Sequence, residues 1–235
     1  MPSAFSHFIF ASQALEQAPA PLKELLYDHL PLYFFGAQGA DFCFFYPAKD
    51  NLGAHLHRQE IYETFRVLKV FARKSPSLHA YALGYITHYA MDTTFHPHIY
   101  ASGGDSPLRH SRIEALLDLH ISNTLPQSKY ISCFRAKLSK KEKELLFLLY
   151  ISIALKTDAT PPKQAPFFRA ISLFNATLPL PNLVFHTFAP RLLTELFEPN
   201  LLFEKGLSTA LSLFSAFERS PLSKRDFNKN FLTGV

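Results

Sequence analysis

Between residues 88 and 114 the chain spaces metal-type side chains at helical intervals. His88, Asp92 and His96 recur every fourth residue, and His110 and Glu114 repeat that interval. Positions i, i+4 and i+8 of an α-helix share nearly one face. His88, Asp92 and His96 therefore point one way, and His110 and Glu114 another. The first group sits in an apolar run, Tyr81-Ala-Leu-Gly-Tyr-Ile-Thr-His-Tyr-Ala-Met-Asp92. A carboxylate in that setting needs a cation or several hydrogen bonds. A buried His–Asp hydrogen bond would satisfy His88 and Asp92 alone. With His96 on the same face, imidazole and carboxylate donors together suit a divalent metal.

Further ligand-type residues surround this core. His96 precedes Pro97, where the helix is expected to end. His98 is a rival two residues on, but His96 keeps the helical face. Asp118 extends the His110 and Glu114 face by one turn, as a carboxylate orienting a ligand histidine. Asp41 ends Gly36-Ala-Gln-Gly39-Ala-Asp41, where glycines permit tight turns; capping a helix is its other reading. His55 and His57 flank Leu56, and only one can face a site, His57 being the start of a helical run. His7 taken alone reads as an exposed histidine. Ten of the eleven histidines lie between His7 and His120, so the first half of the chain carries the chemistry.

Helices must position these groups. Leu and Ala are abundant, Gly is scarce at 8 residues, and alternating runs are lacking. The pattern predicts an all-α protein. Expected helices cover Ser6 to Gln17, Pro21 to Leu30, His57 to Arg73, Pro76 to His96, and Arg109 to Thr124. Others cover Ser139 to Leu155, Phe167 to Thr177, Pro190 to Phe197, and Leu202 to Phe217. Ser139 with Glu142 forms a capping box. Pro31 to Pro47 reads as a glycine-punctuated segment, and Thr157 to Pro166 as a loop. One domain over 1–235 is expected, with ligand-type residues in 1–125 and a helical C-terminal part, 139–235.

Composition narrows the partners. The chain has 235 residues, 48% hydrophobic and 18% charged, which suits a globular domain with its own core. The 24 Phe and 10 Tyr predict a thick aromatic core. A net charge of +5 is modest. The basic clusters, Lys137 to Lys143 and Lys224 to Lys229, read as solvated helix faces, so specific nucleic-acid binding is not expected. Cys43 and Cys133 suggest no disulfide framework. No run of 18 apolar residues marks a transmembrane helix. The N-terminus lacks the features of a signal peptide, so a cytoplasmic location is expected.

Taken in order, four segments resemble the zinc-dependent phospholipase C family, in its signal-free bacterial branch. They are Gly36-Ala-Gln-Gly39-Ala-Asp41-Phe; Leu56-His57-Arg58; Gly84-Tyr-Ile-Thr-His88-Tyr-Ala-Met-Asp92-Thr-Thr-Phe-His96-Pro97; and His110-Ser-Arg-Ile-Glu114-Ala-Leu-Leu-Asp118. The resemblance covers about residues 5–125. It implies an all-helical domain of the phospholipase C / P1 nuclease type, here with additional C-terminal helices, built around two to three Zn2+ ions. Carried over by motif, Asp41, His57, His88 and Asp92 hold one zinc, and His96, His110 and Glu114 a second. His7 holds a third, with Asp92 bridging. Secreted members add the free amino terminus of a mature Trp; this chain has no Trp, so its third site is completed differently or missing. The implied activity is hydrolysis of phospholipid head groups by a metal-activated water, with transient contact at a membrane surface. Asp41 doubles as general base. Phe44, Phe45, Tyr46, Tyr85 and Phe95 are aromatic candidates for meeting acyl chains, against a core role. The alternatives are a nuclease or nucleotidase of the same architecture, and a metal-binding protein without turnover.

Overall fold

The computed structural model describes residues 4–47, 51–103, 106–125, 128–178, 198–231 and 233–234. Ten helices lie within them: α1 Ala4–Gln17, α2 Ala20–Asp28, α3 Leu30–Gly36, α4 Leu52–Arg58, α5 Tyr62–Ala72, α6 Pro76–Gly103, α7 Pro107–Thr124, α8 Lys140–Lys156, α9 Gln164–Thr177 and α10 Pro199–Glu218. Short 3-10 turns occupy Asp41–Phe45, Ile131–Cys133 and Lys224–Asp226. The described residues contain no strand, only an isolated bridge between Glu60 and Asn230. The protein is all-α.

Helix α6 is the axis of the fold. It runs for 28 residues, and every residue from 80 to 93 is buried. A helix apolar nearly all round belongs in a core rather than at a surface. Helices α3, α10, α5, α1 and α7 pack around it. The α3 crossing is close, with a glycine of each helix set against the backbone of the other. A Cβ on Gly84 would stand 2.0 Å from the Tyr33 carbonyl oxygen, and one on Gly36 would stand 2.2 Å from that of Tyr81. Aromatic contacts span the change of character at Ser139, with Phe42 meeting Tyr150 at 5.1 Å and Phe167 at 5.3 Å between ring centroids.

Local signals set the helices that carry ligand-type residues. Ser106 caps α7, its hydroxyl accepting from the Arg109 amide. Asn51 caps α4 by accepting from the Ala54 amide at 3.1 Å. The capping box at Ser139 and Glu142 forms as expected, with bonds of 3.2 and 2.6 Å.

Three departures from the sequence reading bear on the site. The glycine-punctuated segment from Pro31 to Pro47 holds all but the first residue of helix α3 and a 3-10 turn. The run from His57 to Arg73 is two helices, α4 and α5, parted where Gln59 turns extended. His57 therefore ends a helix instead of starting one. Helix α6 does not stop at His96 but continues through Pro97 to Gly103. A proline inside a helix frees the carbonyl four residues back, here that of Thr93. Burial of Phe95, His96 and Ile99 around the proline outweighs that one lost bond. The helix expected over Pro190 to Phe197 lies outside the described residues.

Candidate metal centre

The ligand-type residues come from five elements: His7 on α1, Asp41 at the start of a 3-10 turn, His57 at the end of α4, His88, Asp92 and His96 on α6, and His110 and Glu114 on α7. They converge as three groups, in each of which one ligand atom per residue lies within 4.8 Å of the others: His7, His88 and Asp92; Asp41, His57 and His88; and His96, His110 and Glu114. His88 belongs to two of them. Its ring sits 4.4 Å from that of His7 and 5.8 Å from that of His57.

Asp92 faces both ways. Its Oδ1 is 3.2 Å from His7 Nε2, and its Oδ2 is 3.2 Å from His88 Nε2 and 3.9 Å from His96 Nδ1. Asp41 Oδ1 is 3.1 Å from His57 Nε2 and 3.9 Å from His88 Nε2. Glu114 Oε1 is 3.1 Å from His110 Nε2 and 3.5 Å from His96 Nε2.

Hydrogen bonding tests whether this set suits a cation. His57 Nδ1 lies 2.7 Å from the Gly53 carbonyl, and His96 Nδ1 lies 2.9 Å from that of Phe231. A carbonyl only accepts, so both Nδ1 atoms carry hydrogen. In the neutral rings, each Nε2 then aims a lone pair at a carboxylate oxygen, which is repulsive unless a proton or a cation lies between them. Both ring nitrogens of His88 are buried without a hydrogen-bond partner, since its contact with Asp92 is short but poorly directed. His7 Nδ1 and His110 Nδ1 are likewise unpartnered. Unsatisfied buried polar atoms are costly and rare. Five imidazoles and three carboxylates in this arrangement fit zinc, whose usual ligands include these types.

In the metal-free centre, histidine protonation supplies the positive charge that the carboxylates need. Burial pushes His88 down to about 4, against the pull of Asp92, so its ring is neutral near pH 7. Burial opposes the charged ring of His96 too, but Asp92 and Glu114 prevail and push it up to about 9. Burial works against ionised Asp92 and Asp41, yet neighbouring histidines hold both carboxyls below their ordinary value. The centre already stabilises anionic carboxylates by positive charge beside them.

Other sequence readings fall outside the three groups. His98 is exposed, and His55 Nε2 contacts the Thr157 carbonyl at 2.7 Å. Asp118 does not orient a histidine. Its Oδ1 accepts from the Ser6 amide at 2.9 Å and the Ser6 hydroxyl at 2.5 Å, which ties down the turn that carries His7. Among the aromatic candidates, Phe44 is exposed and its ring lies 5.1 Å from that of His57, whereas Tyr85 and Phe95 are core residues. Gly39 supports the site in a way that spacing does not reveal. Its φ is +56°, and a Cβ there would meet the His88 ring at 2.1 Å. The glycine-rich motif was the available signal.

An all-helical frame around histidine–carboxylate clusters defines a class of metal-dependent proteins. Within that class, a family model described as zinc dependent phospholipase C matches residues 6–158. The chain belongs to the zinc dependent phospholipase C family. No curated protein and no solved structure matches it.

Proposed function

We propose that this protein hydrolyses phosphodiesters, with phospholipid head groups as substrate and two to three zinc ions held by His7, Asp41, His57, His88, Asp92, His96, His110 and Glu114. The observation that carries this reading is the convergence of three histidine–carboxylate groups whose buried ring nitrogens lack other partners. The family match over the same residues supports it. Bound zinc supplies Lewis acidity, which makes a water nucleophilic near neutral pH and offsets phosphate charge.

The chain's own residues do the positioning. Asp92 turns one oxygen to His7 and the other to His88 and His96, so it spans its own group and that of His96 and is the natural bridge. His110, Asp41 and Glu114 keep side-chain exposures of 17, 15 and 12%, against 1% for His88. Substrate therefore approaches past those three. Phe44 lies beside His57 and supplies an apolar rim for an acyl chain. The lowered pKa of Asp41 favours its work as a ligand over that of a general base, because a weakly basic carboxylate is a poor proton acceptor. No described helix is long and apolar enough to cross a membrane.

Elemental analysis of protein purified without chelator should find two to three zinc per chain. The same protein should release phosphocholine from phosphatidylcholine vesicles and lose that activity on chelation. Zinc near zero would end the metal reading. Zinc-loaded protein that cleaves single-stranded DNA but not phosphatidylcholine would point to a nuclease, and failure on both to a binding role.

A further inference from the structure

The C-terminal tail runs back to the metal centre. It lies beyond residue 158, where the family match ends. After α10 the chain makes the 3-10 turn Lys224–Asp226, and Phe227 then packs on Phe65 with ring centroids 4.4 Å apart. The Lys229 amide donates to the Tyr89 hydroxyl at 3.0 Å, and Asn230 Nδ2 donates to the Arg58 carbonyl at 2.7 Å, next to His57. Gly234 lies over α6 at its proline, with φ +68°; a Cβ there would come within 2.6 Å of the Thr93 oxygen and 2.7 Å of Pro97 Cγ. Both ends of this segment are thus fitted to the helices that carry His57, His88, Asp92 and His96.

Phe231, between them, is fully buried. Its carbonyl meets His96 Nδ1 at 2.9 Å. Its ring lies 5.1 Å from the ring of His57 and 5.4 Å from that of His88. One residue thereby touches members of all three ligand-type groups, His96 through its backbone and His57 and the shared His88 through its side chain. The carbonyl fixes the hydrogen of His96 on Nδ1 and leaves the Nε2 lone pair, on the Glu114 side, free for a cation. The ring limits how far His57 and His88 can turn.

Resting on the metal reading above, we infer that Phe231 is a positioning residue of the zinc centre, and that the C-terminal tail is a working part of the site. Partners of this kind set the tautomer and orientation of metal-bound histidines, and their loss typically weakens metal binding by about 10–100-fold.

The test uses the full chain, zinc-loaded. Phe231→Ala keeps the carbonyl and removes the ring that packs on His57 and His88; it should release zinc to a competing chelator roughly tenfold faster than the wild type, and Phe231→Leu should stay within about threefold. The visible spectrum of cobalt-substituted Phe231→Ala should also change, a signature that general loosening of the fold does not produce. Nitrogen-15 NMR of the wild type should show the His96 hydrogen on Nδ1, a result that does not depend on any variant folding. An Nε2 hydrogen would overturn the inference. So would a Phe231→Ala protein with wild-type zinc release and an unchanged cobalt spectrum. A wild type that holds no zinc would instead sink the metal reading, and this inference with it.

Discussion

Asp92 carries the largest single load at the residue scale. Its two oxygens face histidines from different helices, and it is buried beside three imidazole rings, those of His7, His88 and His96. Asp92→Asn removes a charge that two groups use, so it should lose more bound zinc than His110→Ala, which touches one. Equal losses by elemental analysis would show that Asp92 does not bridge. Asp118 makes a separate prediction. Burial, working against two bonds from Ser6, pushes its carboxyl up to about 6 from an ordinary 3.8. The folded chain therefore holds a proton that the unfolded chain has released. That stabilising share is whole below an ordinary carboxyl's pKa and is lost as pH rises through about 6. The total is on the order of 3 kcal/mol. Asp118→Asn keeps an acceptor for Ser6 and cannot ionise. The stability of metal-free wild type should thus fall, relative to metal-free Asp118→Asn, between about pH 4 and pH 6. Parallel thermal-unfolding midpoints across that range would mean that Asp118 does not titrate there.

At the scale of elements, two glycine contacts set where α6 presents its ligands. The α3 crossing leaves no room for a methyl group, because the obstacle at Gly84 is the Tyr33 backbone oxygen and not a movable side chain. Alanine normally favours a helix by about 1 kcal/mol over glycine. Here Gly84→Ala should instead destabilise by about 2 kcal/mol or more, read from urea unfolding. Gly39 acts nearer the chemistry, since its left-handed backbone lets the turn close against the His88 ring. Gly39→Ala should leave helix content by circular dichroism nearly unchanged while lowering zinc content, because the strain falls on the site and not on a helix.

Across the whole molecule, zinc and fold are expected to be coupled. The eight ligand-type residues come from α1, α4, α6, α7 and the Asp41–Phe45 turn, so bound ions would tie separate parts of the chain together. Anything that binds only the folded state stabilises it, by about 2.7 kcal/mol at a hundredfold excess over Kd. For a chain of this size that is a rise in Tm of roughly 5–10 °C. Chelation should remove it and zinc should restore it, as followed by scanning calorimetry. An unchanged Tm would separate metal binding from folding.

Much of this was legible in residue order alone. The all-α class follows from composition and helical periodicity, and the His88, Asp92, His96 and His110, Glu114 spacings mark their faces because a regular helix turns spacing into direction. The capping box at Ser139 is equally local. Tertiary structure decided the rest. Whether a histidine enters the cluster depends on neighbours far along the chain: His57 meets Asp41, while His55 turns to Thr157, 102 residues away. Pro97 reads as a stop, yet α6 passes through it, because surrounding packing outweighs one missing hydrogen bond. Phe231 carries no local signal at all. It reaches His96 across 135 residues, and only the folded path of the C-terminal tail brings that carbonyl to that ring. Periodicity reports which way a side chain points along its own helix; what it meets there is set by long-range packing.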